Sequence, residues 1–131
     1  MTTVRYRYNQ QQQPPAPFVY VTVHTPDNMR ASEHCPALLD SGAALTVVPA
    51  EVADQLSLLK YSEVTLADWM DITVTASAYW VNLTVHELPI DGVKVVAAQV
   101  PYIILGRDVL NQFYLTLDGP NLVMEMKVEG R

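Results

Sequence analysis

Apolar and polar residues alternate along most of this chain, and a period of two commits it to β-strands with one buried face. Val19, Val21 and Val23 alternate with Phe18, Tyr20 and Thr22. Ile72, Val74, Ala76 and Ala78 form a second set, and Val81, Leu83 and Val85 continue on one face. Near the end, Leu122, Met124, Met126 and Val128 alternate with Val123, Glu125 and Lys127. Apolar runs at residues 37–39, 45–48, 64–67, 93–100, 101–105 and 114–117 read as further strands. Turn residues separate them, at Thr25-Pro26-Asp27-Asn28, Asp91-Gly92 and Asp118-Gly119-Pro120-Asn121. Helical spacing is brief. Pro49 suits a first helical turn, where its missing N–H costs nothing, and Val52, Leu56 and Leu59 then share a face. Residues 108–113 fit a second short helix. The expectation is an all-β domain with one or two short helices.

Residues 1–17 differ from the rest. Val4, Tyr6 and Tyr8 alternate with Arg5 and Arg7 in a short strand pattern, and Gln10 to Gln13 then run into Pro14, Pro15 and Pro17. This reads as an N-terminal arm followed by an extended, solvated linker. Residues 18–131 form the domain proper. The chain's 131 residues are one domain's worth, and a composition of 50% hydrophobic and 17% charged residues is enough to bury a core.

A net charge of -6 argues against nucleic acid as a partner, because phosphate binding needs clustered Lys and Arg. No apolar run reaches the length of a membrane span. The first residues show no apolar signal region, which points to the cytoplasm. Cys35 is the one cysteine, so no internal disulfide forms, and a thiol packed at the start of a strand is its plain reading. His24, His34 and His86 show no ligand spacing with it, and no metal or organic cofactor is expected. Asn82-Leu83-Thr84 matches a glycosylation sequon but lies in an apparent strand.

Two segments carry chemistry. Leu38-Leu39-Asp40-Ser41-Gly42-Ala43 delivers a carboxylate from an apolar strand into a tight turn. Such a carboxylate is costly there unless it is paired or hydrogen-bonded. An isolated Asp-Ser-Gly is most often a turn aspartate capping its own loop. The second segment, Tyr102-Ile103-Ile104-Leu105-Gly106-Arg107-Asp108, is an apolar strand, a glycine and a charged helix start. Chemistry that shares a proton between two facing carboxylates needs two such loops, and this chain has one Asp-Ser-Gly. A short chain supplies both by forming a twofold dimer.

With both segments in this order, the chain resembles the retroviral-type aspartic proteases, the retropepsins, over about residues 18–128. The resemblance implies a closed β-barrel with a flap hairpin, in a homodimer acting on extended polypeptide. It implies Asp40 as the catalytic carboxylate, Ser41 bracing the two loops across the dimer, and Gly42 presenting its carbonyl to substrate. Substrate would also meet Ala43, Ala44, Trp69 and Met70. Ile104, Leu105, Gly106 and Arg107 form the second motif. Ser41 and the tail residues Leu122, Met124 and Met126 are expected at the dimer interface, in a sheet shared between copies.

Two positions depart from the family pattern. The acid that commonly pairs with the second-motif arginine is replaced by Ala44, so Arg107 lacks that partner. The flap has no glycine, since none occurs between Gly42 and Gly92. Its tip, near residues 67–71, is therefore expected to be longer or differently built. Trp69 and Met70 there suit a lid on substrate or a cap on the core. The alternative to an active enzyme is the same fold kept as a catalytically weak or inactive peptide-binding or dimerisation module.

Overall fold

A computed structural model describes residues 2–67 and 70–128. The alternating segments close into a six-stranded mixed barrel. Its strands are β2 (Phe18–His24), β3 (Ala31–Leu39), β4 (Val47–Pro49), β6 (Thr73–Val85), β7 (Leu88–Ala98) and β8 (Ile103–Leu105). The order is β2-β3-β8-β4-β7-β6, and β6 returns to β2 to close the ring. β5 (Ser62–Ala67) lies outside the ring on β6, making the flap hairpin. The period of two explains the interior. Val19, Val21, Val23, Val81, Leu83, Val85, Val93, Val95, Ile103 and Leu105 are all buried in one cluster. Each such side chain stabilises the fold by about 1.5–3 kcal/mol.

The short strand β8 decides what the barrel can present. It runs parallel to β3, with Ala37, Leu38 and Leu39 opposite Ile103, Ile104 and Leu105, and antiparallel to β4 on its other side. A strand flanked on both sides is read as a continuous apolar run, and Ile-Ile-Leu is one. The two chemistry-bearing segments thus end side by side. Two short helices follow the strands as expected: α1 (Ala50–Gln55), with Pro49 at its N-cap, and α2 (Arg107–Leu110).

Two expectations are corrected, and Asn82 lies in a strand as expected. Asp91-Gly92 is not the turn before the long strand. β7 begins at Leu88, and the chain reverses at His86, whose φ is 55°. Gly92 sits inside β7 at φ 69°, opposite a register shift between Val81 and Leu83, so it serves a bulge. Leu59 does not share the buried helical face, because α1 stops at Gln55 and Leu59 is 88% exposed, while Val52 and Leu56 are buried. Asn82 belongs to the interior. Its amide donates to the Pro26 carbonyl and to Asn28 Oδ1, and its oxygen accepts the Gly92 N–H.

A second sheet stands beside the barrel. It orders β1 (Thr2–Arg7), β10 (Val123–Val128) and β9 (Tyr114–Asp118), all antiparallel. Within one copy β10 is paired on both sides by its own chain, and Met124 and Met126 are 0% and 1% exposed in its own core. Leu122 accepts the Tyr8 N–H just before that strand. Residues 10–15 are not an extended linker. They form a loop closed by paired Asn9 and Ala16 backbones.

Met124→Ala is expected to destabilise the chain by about 2–5 kcal/mol, read as a lower urea midpoint, because a fully buried methionine leaves a cavity. The arm has its own pH signature. Burial raises the Tyr6 phenol above its ordinary value, and Tyr6 shares a 3.2 Å hydrogen bond with His86 Nδ1. A raised value means this stabilisation is complete below the unfolded tyrosine pKa and is lost as pH rises through the folded one. Alkaline pH should therefore loosen β1 first, seen as faster amide exchange there, and Tyr6→Phe should remove that pH dependence.

Candidate active site

Asp40 emerges where β3 ends, and its environment is built almost entirely by backbone. Its N–H donates to the Leu105 carbonyl at 3.0 Å, which ties the first motif to the second. Its carbonyl accepts the Ala43 N–H at 3.1 Å, and its carboxylate Oδ1 accepts the Gly42 N–H at 2.9 Å. The turn-capping reading of this aspartate therefore holds for one oxygen. Among the described residues, no hydrogen bond engages the other. Asp40 is half-buried, whereas Ser41 and Gly42 are exposed. A Cβ added at Gly42 would lie 3.1 Å from Asp40 Oδ1, so any side chain there would crowd the carboxylate.

The second motif holds this loop from behind. Gly106 has φ -88°, so glycine is needed here for space rather than for backbone conformation. A Cβ would meet the Leu45 backbone at 2.7 Å and the Ala43 carbonyl at 2.9 Å. Arg107 then grips the loop twice. Its N–H donates to the Ala43 carbonyl and its Nη1 to the Ser41 carbonyl, each at 2.8 Å. Lacking the family's acid, the arginine charge thus turns to a backbone dipole of the Asp40 loop.

Two residues to which the sequence assigns no role in the site complete the frame. Thr46 is fully buried, and its hydroxyl donates to Asp108 Oδ1 at 2.7 Å while accepting the Gly106 N–H at 3.1 Å. The Thr46 N–H donates to Asp108 Oδ2 at 3.1 Å. Asp108 also accepts the Val109 N–H at the first turn of α2, where negative charge is favoured. Their sequence signals were a lone hydroxyl inside the apolar run 45–48 and an acid after Gly-Arg at a helix start.

The flap hairpin carries an apolar face of its own. Val64 pairs with Ala76 and Leu66 with Val74, which makes one apolar face on the hairpin. Met70 is 59% exposed near the tip, and Asp71 supplies the positive φ, 61°, that the missing glycine would have given. Trp69 lies outside the described residues. Ala43 is half-buried and Ala44 exposed. Among the described residues, no three His, Cys, Asp or Glu side chains gather in a way that could hold a metal ion.

Comparison with known proteins agrees with this geometry. A family model described as retroviral aspartyl protease matches residues 11–118. Among solved structures, EIAV protease complexed with the inhibitor HBY-793 is 23% identical, with TM-score 0.59, covering 81% of this chain and 92% of that one. A retropepsin-like aspartic protease from Rickettsia conorii is 13% identical, with TM-score 0.62 and coverage of 95% and 90%. Simian foamy virus (mac) protease is 16% identical, with TM-score 0.53 and coverage of 72% and 92%. At these identities the likeness shows the fold. No curated protein matches the chain.

Thr46→Val keeps the shape but removes the hydroxyl, leaving the Gly106 N–H without its acceptor. The expected cost is about 1–3 kcal/mol in chemical denaturation, with Thr46→Ser closer to wild type.

Proposed function

Because this chain belongs to the retroviral aspartyl protease family, we propose that it is an aspartic endopeptidase whose dyad forms from Asp40 of two copies. The observation that carries this reading is the Asp40 carboxylate itself. It is held on one oxygen by the Gly42 N–H, half-buried at the strand end, and set in a loop braced by Arg107. A capping aspartate needs only that first bond. A frame of Gly106, Arg107, Thr46 and Asp108 behind it is more than a turn requires.

The chemistry follows from bringing two such loops together. Two ionised carboxylates about 4 Å apart repel by about 4 kcal/mol at an effective dielectric of about 20, so a dyad keeps one proton over a broad pH range. That proton belongs to the pair. The ionised Asp40 takes a proton from a water held between the two carboxylates. The resulting nucleophile attacks the scissile carbonyl, while the protonated Asp40 of the other copy donates to the carbonyl oxygen. Collapse returns a proton to the leaving amine. Ser41, exposed at the loop tip, braces the opposing loop. Gly42 offers its carbonyl to the substrate backbone, and the substrate lies extended with alternate side chains in pockets. Ala43, Ala44, Met70 and Trp69 are the candidates to meet those side chains.

The test compares wild type with Asp40→Asn on a peptide library from about pH 4 to pH 7, the range in which carboxylate dyads operate. Cleavage sites are read by mass spectrometry. Wild type is expected to cleave at apolar sites with a bell-shaped pH profile, and Asp40→Asn to lose at least a thousandfold in rate with an unchanged fold. Equal cleavage by both proteins sinks the reading. A dimer that binds extended peptides without cutting them would instead be a binding module.

A further inference from the structure

Arg107 is a cation without a counter-charge. It is exposed, and among the described residues no carboxylate lies within ion-pair distance of it. The adjoining acid, Asp108, is committed elsewhere. Its two oxygens accept from the Thr46 hydroxyl, the Thr46 N–H and the Val109 N–H. The position that commonly carries the partner acid is Ala44, also exposed, whose methyl group offers no charge.

Bracing the loop does not use up the guanidinium, which presents a planar fork of N–H donors. One of them, on Nη1, meets the Ser41 carbonyl at 2.8 Å, and among the described residues no protein group accepts from the others. A carbonyl leaves the charge uncompensated. A carboxylate would take two parallel N–H bonds from such a fork, each charge-assisted. The fork stands on the loop that carries the reacting carboxylate. Ser41 adjoins Asp40, and the Arg107 N–H donates to the Ala43 carbonyl. Ser41, Gly42 and Ala44 are exposed along that loop, and Gly42 and Ala44 are where an extended substrate is proposed to run.

Resting on the reading of Asp40 as half of a dyad, we infer that Arg107 is a specificity-determining residue. It selects substrates that carry an acidic side chain two or three residues from the scissile bond. Side chains on one face of an extended peptide are about 7 Å apart. One such step leads from the bond at Asp40 past Ser41 to the guanidinium, where the substrate carboxylate fills the place that Ala44 leaves without charge. A twofold dimer presents Arg107 from each copy, so the preference falls on both sides of the bond. Glutamine has the shape of glutamate but makes no charge-assisted bond, and lysine meets a like charge.

Matched peptides that differ only as Glu, Gln or Lys at these positions read the preference. Wild type is expected to favour Glu over Gln by about tenfold in kcat/KM, the worth of one charge-assisted hydrogen bond, with Lys below Gln. The Glu/Gln ratio is internal to each protein, so a slower variant still gives it. Ala44→Asp sets an acid beside Arg107 and should bring the ratio close to one, as should Arg107→Gln. An arginine that only braces the loop would lower the rates and leave the ratio unchanged. Fluorescence anisotropy of labelled peptides in an Asp40→Asn background gives the same ratio as Kd wherever a variant does not cut. A wild-type ratio close to one, as when a carboxylate of the second copy takes the guanidinium, overturns the inference and leaves the protease reading intact. So does an Ala44→Asp or Arg107→Gln protein that keeps the wild-type ratio. A wild type that cuts nothing, while Asp40→Asn binds the Glu peptide about tenfold more tightly than the Gln peptide, loses the enzyme and keeps the role of Arg107. No cleavage together with equal binding overturns both.

Discussion

The parallel pairing of β3 with β8 is the contact on which the site depends. It sets Leu39 beside Leu105, and the next backbone N–H, that of Asp40, donates to the Leu105 carbonyl. Both strands then stop together, and everything chemical happens in the loops just beyond them. A parallel pair cannot be joined by a hairpin. The flap and the long β6–β7 hairpin are built within that connection, so the elements around the carboxylate are by-products of reaching the partner strand.

What keeps those loops in place is a small set of polar contacts on an apolar base. Thr46 is the hub, joining the Gly106 N–H to the Asp108 carboxylate in a fully buried position. Such a network is worth having only when every member is satisfied, and here no buried side-chain nitrogen or oxygen lacks a partner among the described residues. Arg107 adds a charge-assisted contact to the Ser41 carbonyl. Gly106 allows the backbones of both motifs to come within contact distance. The frame is therefore steric and polar at once, and losing either part lets the Asp40 loop move.

Much of this was legible from residue order. Period-two alternation located the barrel strands, and the two motifs announced themselves by residue type. The errors share one cause. Asp91-Gly92 is a common turn pair, but a bulge uses the same positive φ, and only the neighbouring strand decides which it is. Leu59 matched a helical spacing that α1 does not live to reach. Alternation in the tail said that one face is buried without saying in whose core. The pairing of Thr46 with Asp108 stayed invisible because a single threonine in an apolar run looks like a strand residue until its partner is known.

The sequence alone determined the local commitments: strands from their periodicity, a carboxylate at the end of an apolar strand, and one such carboxylate per chain. Those follow from side-chain chemistry and spacing, which act over a few residues. Only the tertiary structure decided that β8 threads between β3 and β4, that Arg107 meets a carbonyl rather than an acid, and that β10 is filled from within. These are long-range choices, set by which surfaces cover one another, and no local pattern encodes them.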